Sequence, residues 1–152
     1  MAPFLRAIGV SFVLTALGLA PAGAADKPKM LAIEGEVRLS ADQAGAVAPG
    51  DRLVFKLFHP HEGVEKDVRY WIKDEFAFPQ AFRLAPTVDM TGNPRWNTYI
   101  LEVFTDKDRK VLNRVDGELH TSIDEPVPLG TTGLVLELAA PESVSYTHLT
   151  LP

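Results

Sequence analysis

Arg52-Leu53-Val54-Phe55-Lys56-Leu57-Phe58-His59 is the stretch on which the fold turns. Leu53, Phe55 and Leu57 alternate with Val54, Lys56 and Phe58, a period of two with both faces largely apolar. A strand greasy on both faces belongs in the middle of a sheet. Upstream, Pro49-Gly50-Asp51 is a turn signal, because Pro fixes φ and Gly accepts a positive one. Downstream, His59-Pro60-His61-Glu62-Gly63 is expected to end the strand, since Pro brings no ladder donor.

The same period runs outward in both directions. In Met30–Leu39, Ile33, Val37 and Leu39 share a parity against Glu34, Glu36 and Arg38, while Gly35 interrupts the apolar face and signals a bulge or a close backbone approach. Asp67–Ile72 alternates Val68, Tyr70 and Ile72 with Arg69 and Trp71. Phe76–Leu84 is aromatic, with Pro79 restricting it to an edge or a bulge. Pro86–Asn97 reads as a long loop and Tyr99–Phe104 as a clean strand. Arg109–Leu119 reads as a weaker strand, after which Pro126, Pro128 and Gly130 break the chain before a last strand, Gly133–Leu138. About seven short strands, with turn chemistry between them and no long helical period, predict an all-β domain over residues 30–141. The expected architecture is an antiparallel β-sandwich with immunoglobulin-like or related connections, a barrel being the alternative.

Residues Met1–Ala25 carry a different signature. Arg6 precedes an apolar run from Ala7 to Ala20, Pro21 breaks it, and Ala22-Gly23-Ala24-Ala25 supplies a small-residue cleavage site. The run is shorter than the roughly 20 residues a bilayer span needs. The expectation is a signal-peptide helix, cleaved on export, and a soluble periplasmic domain; an uncleaved anchor is the alternative. At the other end, Val144–Pro152 (with Tyr146 and His148) resembles the translation of a sequencing adaptor, so residues 144–152 carry no functional expectation.

Composition excludes several function classes. The chain has 15 Lys+Arg against 20 Asp+Glu, a net charge of −5, and no basic block. It therefore lacks the electrostatic footprint of a nucleic-acid or anionic-lipid binder. It has no cysteine, which excludes disulfides, thiol redox chemistry and haem attachment through C-x-x-C-H.

Candidate sites are few. His59 and His61 sit two apart, and on a strand such side chains point the same way, so two imidazoles can chelate a metal. His120 is a candidate third ligand and Met30 or Met90 a soft axial one. The competing reading, a solvated turn, is favoured because Pro60 lies inside the pair. No G-x-S-x-G occurs, Ser40, Thr98 and Ser122 have no His beside them, and Asp74-Glu75 and Asp124-Glu125 are neighbours that point to opposite faces. No catalytic residue and no cofactor is expected. Asp106-x-Asp108 offers two carboxylates to Ca²⁺, but the remaining oxygen ligands of a calcium loop are absent. Trp71, and Trp96 beside Arg95, have the composition of a protein-binding hot spot, with burial in the core as the competing reading.

A family likeness runs through Ile33–Leu39, Pro49–Phe55, Phe78-Pro79-Gln80-Ala81-Phe82-Arg83-Leu84, Asp89-Met90, Asp116-Gly117-Glu118-Leu119, Pro126–Gly130 and Gly133–Leu138. This succession, covering about residues 30 to 140, resembles the periplasmic C-terminal β domain of the c-type cytochrome biogenesis factor of the CcmI/CycH type. A weaker likeness is to small secreted β-sandwich proteins of the YbaY/YscW type. The first resemblance implies a non-enzymatic module that holds or presents apocytochrome c, or contacts haem-ligation subunits, by protein–protein contact. The membrane helices and helical-repeat region of that factor have no counterpart here, so the likeness implies a stand-alone relative. The alternative function is a periplasmic metal-binding protein using His59 and His61.

Overall fold

The computed structural model describes residues 31–141; the expected signal peptide and the adaptor-like tail lie outside them. The strands are β1 (Ile33–Leu39), β2 (Arg52–His61), β3 (Val64–Lys73), β4 (Gln80–Leu84), β5 (Thr98–Asp106), β6 (His120–Pro128) and β7 (Leu134–Leu138). The one helical element among the described residues is a 3₁₀ turn, Ala41–Gln43. None of the described helices is long and apolar enough to cross a membrane.

The strands form two sheets, ordered β4-β1-β7 and β3-β2-β5-β6. β2 lies between β3 and β5, as its two apolar faces require. One face carries Leu53, Phe55 and Leu57 into the main core, with Ile33, Val37, Leu84, Leu101, Val103 and Leu138. Phe55 meets Phe82 of β4 with ring centroids 5.4 Å apart, joining the two sheets. Each such fully buried side chain contributes about 1.5–3 kcal/mol. Val54 and Phe58 point the other way and are also buried, as are Ile100 and Phe104 of β5. Loop 107–118 covers part of that outer face: the Arg114 guanidinium lies 3.4 Å from the Phe104 ring centroid.

Several boundaries differ from the sequence expectation. β2 runs on through Pro60 to His61, and β3 begins at Val64. The hairpin turn is Glu62-Gly63, both at positive φ (51° and 75°), which matches the twist of the flanking strands. The expected strand Arg109–Leu119 is a loop: Arg109 (φ 63°) and Gly117 (φ 87°) leave the extended region, and Leu112 is exposed. The strand is instead His120–Pro128, whose prolines suggested a break. β6 is an edge strand, where missing N–H groups are tolerated, and Pro126 falls in an irregularity between the Tyr99↔Val127 and Leu101↔Ile123 pairs.

The sheets are not wholly antiparallel. β1 pairs antiparallel with β4 but parallel with β7. Gly35 makes this possible, since a Cβ there would lie 2.3 Å from the carbonyl oxygen of Leu134. The close approach read from Gly35 is therefore present. Between Leu57/Arg69 and His59/Lys66, β3 carries one extra residue, and Asp67 within that bulge has φ 51°.

Candidate functional site

β2 and β3 are the longest strands, ten residues each, and their hairpin end lies beyond the core. His59 and His61 share the parity of Leu57, and their ladder partners are Lys66 and Val64. The long loop before β5 returns over this end and lays Trp96 against the histidines. The His59 and Trp96 rings are stacked, with centroids 4.1 Å apart and planes within 7°. His61 approaches the same indole at 5.3 Å. Trp96, His61, Val64, Lys66, Asp67 and Arg95 border an open cleft of about 510 Å³.

Hydrogen bonds fix two residues, His59 and Tyr99, that contact the lining side chains Trp96 and Asp67. His59 Nδ1 lies 2.8 Å from the carbonyl oxygen of Thr98. A carbonyl only accepts, so Nδ1 carries a proton, and in the neutral ring Nε2 is the nitrogen with the lone pair. The fully buried Tyr99 donates its hydroxyl to Asp67 Oδ2 at 2.8 Å. Burial and the Asp67 carboxylate raise the phenol pKa well above its ordinary value. The bulge aims Asp67 at Tyr99, as bulges beside sites often re-aim a side chain. Trp96 Nε1 is buried with no hydrogen-bond partner among the described residues.

The sequence candidates are only partly brought together. His59, His61, Arg95 and Trp96 converge. Trp71 does not join them: it pairs with Phe55 in the β2–β3 ladder, packs against the core, and has Arg69 over its ring at 5.1 Å. His120 pairs with Phe104, six residues along β5 from Thr98, about 20 Å at the rise of a strand. It is no third ligand for His59 and His61. Its pKa is lowered, first by desolvation and then by the charge of Arg114. Met90 is fully exposed, and Met30 lies outside the described residues.

The other groups considered for catalysis are committed or solvated. Ser40 Oγ donates to Asp42 at 2.6 Å. Asp74 faces Arg109 at the surface, and Asp124 accepts from Ser122. Sequence reading missed Asp67 and Tyr99 because their meeting depends on a bulge. It also missed Glu118, which the fold carries to Asp106 and Asp108. Among the described residues these three acids form the one cluster of potential metal ligands, with oxygens all within 4.8 Å of one another.

No family model, curated protein or solved structure matches this chain.

Proposed function

We propose that the protein is a non-enzymatic binding module that takes an extended segment of another polypeptide. The observation that carries this reading is the pairing of a free sheet edge with an aromatic cleft at its end. β3 ends the four-stranded sheet, and its Val64, Val68, Tyr70 and Ile72 are 38–53% exposed. An added strand would take its main-chain hydrogen bonds from that edge, and the Trp96–His61 cleft would receive a side chain. Mixed charge on β3, with Lys66, Arg69 and Lys73 beside Glu65 and Asp67, guards the edge against self-association in the absence of a client.

The accompanying picture is a seven-stranded β-sandwich of immunoglobulin-like or related connections, exported by Met1–Ala25 and working in the periplasm. The resemblance to the cytochrome biogenesis domain names the client class, apocytochrome c or haem-ligation subunits. The test is capture of periplasmic polypeptides on the immobilised protein. Enrichment of apocytochrome c or maturation subunits supports the reading. An empty capture with normal cytochrome c levels in a deletion strain overturns the specific client.

One observation favours a second reading, metal binding by His59 and His61. The Thr98 carbonyl holds His59 in the tautomer that frees Nε2, the arrangement seen in ligating histidines. Calorimetric titration with Cu²⁺ and Zn²⁺ decides it: affinity unchanged by His59→Ala and His61→Ala removes this reading.

A further inference from the structure

At the opposite end of β5 from Trp96, Asp106 closes the strand and loop 107–118 departs from it and returns. The Asp106 side chain is 1% exposed. Its Oδ2 accepts from Arg52 Nε and Nη2, but Oδ1 is buried and meets no donor. A buried carboxylate oxygen left unpaired costs on the order of 1–3 kcal/mol. Asp108 and Glu118 bring their carboxylates to that of Asp106, with one oxygen from each acid within 4.8 Å of the others.

The charges in this cluster are not balanced. Arg52 neutralises Asp106 alone. Lys107 turns away, its Nζ 2.6 Å from Asp51 Oδ2 and 2.9 Å from the carbonyl oxygen of Ala46. Asp108 accepts only a backbone N–H, from Lys110. Glu118 accepts the N–H groups of Lys107 and Val115. Arg114 lies on Phe104, and its field reaches Glu118 and Asp106 without an ion pair to either.

We propose that Asp106, Asp108 and Glu118 bind a hard divalent cation, Ca²⁺ in preference to Mg²⁺. Three carboxylates and no imidazole or sulfur is the donor set of such an ion. Ca²⁺ takes six to eight oxygens and accepts several protein carboxylates in flexible geometry, whereas Mg²⁺ keeps several waters and takes one or two carboxylates. The ion supplies Asp106 Oδ1 with its missing partner. It also ties the start of loop 107–118 to its end, and so fastens the cover over Phe104. A single site of this kind has the millimolar-range affinity of extracellular calcium modules, on the order of 0.1–1 mM.

The test is calorimetric titration of the purified full chain with CaCl₂ and MgCl₂, beside thermal unfolding in the same salts. The expected result is one equivalent of Ca²⁺ bound, with a Tm rise of roughly 5–10 °C at ~100-fold excess over Kd and weaker effects of Mg²⁺. Asp108→Asn, at a half-buried position, removes the binding and the Tm response to Ca²⁺, and in chelator its Tm is not lowered, because one of three mutually repelling charges is gone. Asp106→Asn removes them too if it folds, and Asp108→Asn decides the matter if it does not. Absence of Ca²⁺ heat and of a Tm shift in the unmutated protein overturns the proposal, as does binding that Asp108→Asn leaves intact.

Discussion

The Trp96 indole lies flat on the His59 imidazole, centroids 4.1 Å apart, while that imidazole is held at its edge by the carbonyl of Thr98. A ring held at its edge by a hydrogen bond and stacked on one face is rigid before any partner arrives. That is the property expected of an aromatic anchor.

Trp96→Ala is therefore expected to weaken client binding by about 2 kcal/mol or more, roughly 30-fold in Kd. Trp71→Phe, a change within the core at a distance from the cleft, should leave Kd within about threefold. Titration of a captured client segment, followed by fluorescence anisotropy, measures both. Equal effects of the two substitutions would remove the cleft from the binding surface.

Tyr99 is buried and donates a hydrogen bond from its hydroxyl to Asp67. Tyr99→Phe should cost about 1.5–3 kcal/mol, the range for a hydrogen bond to a charged group. Asp67→Ala should cost a similar amount, and the double variant less than the sum, because both changes delete one interaction. Urea unfolding of the four proteins supplies the cycle; simple additivity would mean that the bond contributes nothing.

Gly35→Ala is expected to cost about 3 kcal/mol or more, because the new methyl group meets backbone rather than a yielding side chain. Gly45→Ala is the matched control. Nothing lies within 4 Å of its added Cβ and its φ is not positive, so it should be neutral or stabilising by up to about 1 kcal/mol. Chemical denaturation of both separates the close β1–β7 approach from a general intolerance of alanine.

His120 titrates below its ordinary value of 6.5, chiefly through desolvation and then through Arg114. The unfolded chain thus takes up a proton at higher pH than the folded one. Stability is full above pH ~6.5 and falls as the pH drops below it towards the depressed folded value. Glu102, Asp124 and Lys56 also act on this ring, the acids opposing the shift and Lys56 adding to it. His120→Gln should flatten the dependence of Tm on pH between roughly 7 and 5. An unchanged slope would assign the dependence to other groups.

Much of the fold is legible along the chain, because the pleat alternates locally. Leu53, Phe55 and Leu57 declare one face and Val54 and Phe58 the other, so the central place of β2 follows from eight residues. Gly35 likewise announces a close approach, though not whose backbone comes near. The misreadings have local causes. Arg109–Leu119 alternates well enough to mimic a strand, but Glu118 binds the N–H groups of Lys107 and Val115 and curls the segment into a loop. Pro126 and Pro128 look like breakers, yet on an edge strand they withhold only donors that no neighbour requires.

The site was half legible. His59, His61, Arg95 and Trp96 stand out by residue type, while Asp67, Tyr99 and Glu118 do not. By itself the sequence determined that the described domain is built of strands, and which side chains share a face, because alternation is a property of neighbours. Tertiary structure alone decided that β7 joins β1 in parallel, that Trp96 covers His59, that Asp67 reaches Tyr99 and that Glu118 closes on Asp106. Those meetings depend on register, on one extra residue in β3 and on the path of two loops, and no local pattern of side chains encodes such distant coincidences.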